Sequence, residues 1–207
     1  MSLYGRLFAA GYDRLMAGTE EAGLAEMRSA LLSRAHGEVI EVGAGTGVNL
    51  EHYGTGPQRL VLTEPEEPMV RRLRAHVEAK GAVAEVVQAP AEALPFPDDS
   101  FDTAVATLAL CTVDDPHRAI GELRRVLRPG GELLFLEHVR SDDPKLAKWQ
   151  DRWIPVWRRF AHGCHCNRPT ADSIRQAGFE IEELIPGSLP KSPPLARPLI
   201  RGWAASP

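Results

Sequence analysis

The chain has 207 residues, enough for one domain with a sizeable buried core, and its 43% hydrophobic and 25% charged content is that of a globular protein. A net charge of -4, from 24 basic and 28 acidic residues, gives no electrostatic reason to bind nucleic acid. Three cysteines, no apolar core near the N-terminus and no run approaching about 18 apolar residues argue against a disulfide framework, a signal peptide and a membrane span, so a soluble, cytoplasmic protein is expected.

Residues 3–16 predict a first helix, with Leu3, Leu7, Phe8, Tyr12 and Leu15 at helical spacing. Thr19 is placed to cap a second helix, which carries Leu24, Met27, Leu31 and Leu32 on one face and ends near Gly37. Residues 38–42 then form a short β-branched strand that stops at a glycine-rich turn. A helical stretch over 46–53, a strand at 60–63, a helix opened by Pro65 or Pro68 and closed at Gly81, and a strand at 82–87 follow. Past a loop rich in proline, the apolar run 101–110 suits a strand covered on both faces. A helix at 120–127, stopped by Arg128-Pro129-Gly130-Gly131, leads to a strand at 132–138. Beyond His138 the alternation loosens through residues 141–169, and a helix at 170–177 with strands near 179–184 and 199–203 completes the chain. Strands alternating with helices imply an α/β, doubly wound fold with a parallel sheet and right-handed crossovers.

The informative stretch is Glu41-Val42-Gly43-Ala44-Gly45-Thr46-Gly47, where a buried strand turns toward a helix. Glycine lets the backbone turn tightly and approach a ligand closely, and a helix N-terminus beyond it offers unpaired N–H groups. Glu64 ends the next strand, about 20 residues beyond Gly43, where an acid is placed to accept hydrogen bonds from ribose hydroxyls. A dinucleotide fingerprint needs its third glycine at position 48, which is Val48, whereas the glycines fall at 43, 45 and 47. That spacing favours S-adenosylmethionine (SAM). A nicotinamide-dependent oxidoreductase and a catalytically silent SAM-binding protein are the competing readings.

Residues 41–47, then 91–96 (Ala-Glu-Ala-Leu-Pro-Phe), 99–102 (Asp-Ser-Phe-Asp) and 123–131 (Leu-Arg-Arg-Val-Leu-Arg-Pro-Gly-Gly) together resemble the class I SAM-dependent methyltransferases, the ubiquinone- and menaquinone-type C-methyltransferases among them. The resemblance covers nearly the whole chain. It implies a Rossmann-like, seven-stranded, mostly parallel sheet with the last strand antiparallel, an N-terminal helical cap over residues 1–36, an acceptor-side insertion at 141–169, and a single domain spanning residues 1–207. By the same resemblance Gly43, Ala44, Gly45 and Thr46 would face the methionine half of SAM and Glu64 its ribose. Ala91 and Glu92 would lie along the adenine, and Thr107 and Leu108 under the sulfonium. Tyr12-Asp13 resembles the N-terminal pair that closes over the cofactor. Many relatives carry Asp or Asn just before the Ala-Glu pair, where this chain has Pro90. Residues 108–113, Glu137-His138-Val139, Gly163-Cys164 and Asn167-Arg168 are further similar to the animal thiol S-methyltransferases. Those enzymes carry an N-terminal membrane anchor that this chain is expected to lack.

The resemblance implies methyl transfer to a small, apolar acceptor: a thiol first, then a quinone-like carbon or oxygen, then a phospholipid amine. His138, at the end of the fifth predicted strand, is the candidate catalytic base; the other reading is a histidine hydrogen-bonded to loop backbone. Cys111, His162 and His165 are the candidate acceptor contacts. Cys111 also reads as a small packing residue, and the cluster His162, Cys164, His165, Cys166 as loop packing, its spacing being too cramped for zinc. No metal site is predicted. Trp149, Trp153 and Trp157 recur every four residues and so share a helical face, readable as lid packing, an acceptor wall or a patch touching a membrane surface.

Overall fold

The structure is a computed structural model that describes residue 11 and residues 16–207. The expected first helix therefore lies largely outside the described residues. A π-helical turn, Glu20–Leu24, with Gly23 at φ 126°, runs into α1 (Ala25–Leu32). Thr19 makes no capping hydrogen bond, because its own backbone is already helical and a cap needs extended geometry. The remaining elements are β1 (Gly37–Val42), β2 (Pro57–Thr63), α2 (Glu67–Lys80), β3 (Glu85–Val87), β4 (Phe101–Thr107), α3 (Pro116–Val126), β5 (Leu127–His138), α4 (Pro144–Phe160), α5 (Thr170–Gln176), β6 (Glu180–Ser188) and β7 (Pro198–Ala205).

The seven strands form one sheet in the order β3-β2-β1-β4-β5-β7-β6. The first five pair in parallel, and β7 inserts antiparallel between β5 and β6. The central strands read as continuous apolar runs because both faces are covered. Ile40, Val42, Ala104, Ala106, Leu133 and Phe135 face α3 and α5, where Ile120, Leu123, Val126 and Ile174 complete one cluster. The alternate residues Val39, Leu62, Val105, Leu134 and Leu136 pack with Leu31 and Leu32 of α1 and Leu73 of α2 in a second. A third cluster joins Cys111, Cys164, Cys166, Leu195 and Ala196 to Ile154 and Trp157 of α4.

Several element boundaries differ from the expectation: the helix expected to end near Gly37 stops at Leu32, and the strand expected at 82–87 is confined to Glu85–Val87. The stretch 46–53 contains only a 3-10 turn, Val48–Glu51, since Gly47 enters it left-handed at φ 90° and the side chains of Asn49 and Tyr53 turn inward to Glu41. Helix α3 starts earlier, at Pro116, because the Asp115 carboxylate caps the Arg118 N–H at 3.0 Å with proline in the first turn. Strand β5 starts at Leu127 and carries Arg128-Pro129-Gly130-Gly131 as an irregularity in its pairing with β4, with Gly130 at φ 76°.

Candidate active site

The turn after β1 is shaped by two glycines. Gly43 sits at φ 63°, and a Cβ there would come within 2.7 Å of the Ala109 Cβ, so only glycine lets the loop after β4 close onto this turn. Gly45, at φ 57°, borders open space, with nothing within 4 Å of where a Cβ would point. Ala44 anchors the turn by donating its N–H to the Thr63 carbonyl at 3.0 Å, and Thr46 is buried beside it. Glu64, buried at the end of β2, accepts the Gly45 N–H at 3.0 Å on one carboxylate oxygen and the Glu66 N–H at 3.0 Å on the other. Burial pushes its carboxyl above the usual range, against those two hydrogen bonds.

Beneath the turn lies a buried polar network. Glu41 accepts from Asn49 Nδ2 at 2.9 Å and from the Tyr53 hydroxyl at 2.7 Å. Thr107 Oγ1, at the end of β4, accepts from Asn49 Nδ2 at 2.8 Å and from Arg28 at 2.9 Å. Arg28 also donates to Asn49 Oδ1 at 2.8 Å and pairs with Glu20 at 3.1 Å. One helical arginine thus ties α1 to the end of β4 and to the 3-10 turn that follows β1. Leu108, the next residue, takes a left-handed φ of 55° and donates its N–H to the Leu136 carbonyl at 2.8 Å. A left-handed leucine is strained, and here the strain lies at the carboxyl end of β4.

The loop after Leu108 is held from below. Glu137, fully buried in β5, accepts the N–H groups of Ala109 and Leu110 at 2.9 Å each and of Cys111 at 3.3 Å. Arg168 donates to the carbonyls of Leu110 and Val113, the latter at 2.7 Å. Burial raises Glu137 to about 7, whereas the neighbouring His138 is pushed down to about 4, also by burial. The His138 ring faces the carbonyls of Ala196 and Pro198, and its Nδ1 is buried with no hydrogen-bond partner.

The segment after α4 reaches back across these strand ends. His165 donates its N–H to the Cys111 carbonyl at 2.7 Å, and the Cys111 thiol meets that of Cys164. His162 Nε2 lies 2.9 Å from Glu66, at the start of α2, so the segment spans the turn between the ends of β2 and β4. Gln150, buried in α4, donates to the carbonyls of Val139, Cys166 and Leu195 at 3.1, 2.9 and 3.0 Å and accepts the Ser141 N–H at 2.8 Å. Trp157 packs toward the cysteine cluster, but Trp149 and Trp153 are both 44% exposed. The three tryptophans therefore do not share one environment: a four-residue spacing advances about 40° each step, so the third has turned toward the core.

Residues 40–135 match the family model described as a methyltransferase domain. The chain is 34% identical over 170 residues to the human thiol S-methyltransferase TMT1A, covering 80% of this chain and 69% of that protein. It is 36% identical over 154 residues to human TMT1B, covering 72% of this chain but 63% of that protein's length, just under two thirds. This chain belongs to the class I SAM-dependent methyltransferases. A solved SAM-dependent methyltransferase from Thermotoga maritima, a possible histamine N-methyltransferase, superposes with a TM-score of 0.72 at 23% identity, covering 98% of each chain. Such a likeness shows the fold, and the seven-stranded topology with β7 reversed is that of the family.

The methyltransferase site fits SAM on chemical grounds. Each Glu64 oxygen spends one lone pair on a backbone N–H and keeps another, which suits a pair of vicinal ribose hydroxyls. The open space above Gly45 leaves room for a ligand against the turn. The two residues expected along the adenine sit in different surroundings. Ala91 is buried in the core, while the Glu92 carboxylate accepts the N–H groups of Asp114 and Asp115 at 2.8 and 3.2 Å, ahead of α3. Tyr12 lies outside the described residues. Sequence reasoning assigned no role to Arg28, Asn49, Glu137, Arg168 or Gln150. The available signal was a carboxylate inside the apolar run Leu133-Leu134-Phe135-Leu136-Glu137, since a buried charge demands partners.

Proposed function

We propose that this chain binds SAM at the Gly43–Gly45 turn and moves its methyl group directly to the sulfur of a small, apolar thiol. When bound, SAM supplies an electrophilic methyl on a good leaving group; the protein supplies orientation. Glu64 would hold the ribose, while Thr107 and Leu108 would lie beneath the reacting centre. Glu137 and Arg168 would keep the 108–113 backbone in place from its N–H and C=O sides.

The observation that carries the thiol reading is the state of the titratable groups at the ends of β4 and β5. Glu137 is occupied by three backbone N–H groups, and His138 remains neutral with a value near 4, too weak a base to accept a proton usefully near neutrality. Of the two readings of His138, the one we propose is a histidine set against loop backbone. The ends of β4 and β5 thus present no side chain suited to take a proton from the acceptor, which favours an acceptor that ionises by itself, and a thiol with a pKa of about 8.5 does so. Holding the nucleophile near the methyl then supplies the acceleration, on the order of 7–11 kcal/mol. The similarity to TMT1A and TMT1B points the same way. Cys111, Cys164 and Trp157, with His162 and His165 at the rim, would form the acceptor side.

The test is turnover of SAM with matched alkyl and aryl thiols, phenols, quinols and amines, read as S-adenosylhomocysteine and methylated product. Thiols are expected to turn over fastest, with kcat/KM tracking the acceptor's own ionisation. Faster turnover of a quinol or amine would reassign the acceptor, and failure to bind SAM would remove the reading altogether.

A further inference from the structure

Helix α4 buries one side, through Ala147, Gln150, Ile154 and Trp157, and has a second apolar face that is largely solvent-exposed. Trp149 (44% exposed), Trp153 (44%), Val156 (47%) and Phe160 (72%) recur at i, i+4, i+7 and i+11. At about 100° per residue they fall in a strip about 60° wide. The Trp149 and Trp153 rings meet along it in a tilted pair, centroids 6.5 Å apart and planes 59° apart. Exposed Lys145, Lys148, Arg152 and Arg159 follow one edge of the strip. The helix carries five basic residues (these and Arg158) against one acid, Asp151, in a chain whose net charge is -4. That single acid is already engaged by Arg140 at 2.6 Å and Asn167 at 3.0 Å.

We infer that α4 is an interfacial helix that docks this protein on an anionic lipid bilayer surface. An exposed aromatic strip beside a cationic row matches the two layers of such a surface: tryptophan rings at the headgroup level, Phe160 and Val156 deeper, and lysine and arginine at the phosphates. No helix of the described residues is long and apolar enough to cross a membrane, and the contact proposed for α4 is a peripheral one. The far side of α4 packs on the cysteine cluster, so docking would bring the proposed acceptor segment close to a phase in which apolar molecules dissolve. The docking itself does not rest on the acceptor assignment.

The experiment is sedimentation of the full chain with vesicles of phosphatidylcholine alone and of phosphatidylcholine with phosphatidylglycerol, at low and high salt, with tryptophan emission recorded. Binding only to the anionic vesicles, weakened by salt and accompanied by a blue shift, is expected. A Trp149→Ser, Trp153→Ser, Phe160→Ser variant should lose the binding. A Lys145→Glu, Lys148→Glu, Arg152→Glu variant, which leaves the strip in place, should bind about tenfold more weakly or worse. Unchanged thermal melts separate these losses from misfolding, and the charge variant serves alone if the strip variant does not fold. No binding to anionic vesicles, or equal binding to both kinds, overturns the proposal. So does light scattering that shows a dimer dissolved by the strip substitutions, which would assign the face to a second copy of the chain. Neither SAM nor an acceptor is present, so this test can fail while the methyltransferase reading stands.

Discussion

The carboxylate of Glu137 accepts the backbone N–H of Leu110 at 2.9 Å, and through it the carboxyl end of β5 holds the loop that follows β4. Burial nevertheless keeps this carboxyl near 7, so the fold binds a proton there that the unfolded chain, with an ordinary value of 4.5, has released. Stability from Glu137 is thus fully present below about 4.5 and is lost as pH rises through about 7. Unfolding free energies of the native chain and Glu137→Gln, measured across that window, should show the native chain losing ground as pH rises. A constant difference would mean that the carboxyl titrates normally.

His138 has the opposite slope. Its ordinary value of 6.5 falls to about 4 in the fold, so the unfolded chain takes up a proton first and stability declines as pH drops from about 6.5 toward 4. His138→Gln should flatten that decline. Removing a true general base costs about 100-fold or more in rate. We expect thiol methylation by His138→Gln to stay within about tenfold of the native rate at neutral pH, and a larger loss would restore the base assignment.

Glu64→Ala is expected to weaken SAM binding by about 1–3 kcal/mol in calorimetric titration, the usual cost of stranding hydrogen-bonding groups. It also frees the Gly45 and Glu66 N–H groups that the carboxylate now accepts. Unchanged affinity would place the ribose elsewhere.

Arg28→Lys tests the network under the turn. Lysine cannot reproduce the fork that reaches Glu20, Asn49 and Thr107 together. Chemical denaturation should show a loss of about 1–3 kcal/mol, with weaker SAM binding because Thr107 and Asn49 lose a shared donor. A variant as stable as the native chain would show the network to be dispensable.

Gln150→Leu keeps the volume of the side chain but leaves three carbonyls and the Ser141 N–H unanswered in a buried place. Its expected cost is about 1–3 kcal/mol on denaturant unfolding. Free energy equal to that of the native chain would mean that water replaces the amide.

Local chemistry made much of this protein legible from its sequence. The β-branched runs ending in glycine or an acid, the alternation with amphipathic helices, and the Gly43-to-Glu64 spacing depend on neighbours along the chain, and the family resemblance added the seven strands with the last one antiparallel. What depended on distant partners was not legible. Glu137 and Leu110 meet only because β4 and β5 pair, and Arg28 reaches Thr107 only because α1 packs across the sheet. Helix α4 makes the same point: its tryptophan spacing was plain, but whether each ring faced core or solvent was decided by how Gln150 pins the helix to three separate loops. Periodicity sets which residues share a side of a helix; only tertiary packing, through the partners that satisfy buried polar groups, decides which side is turned inward.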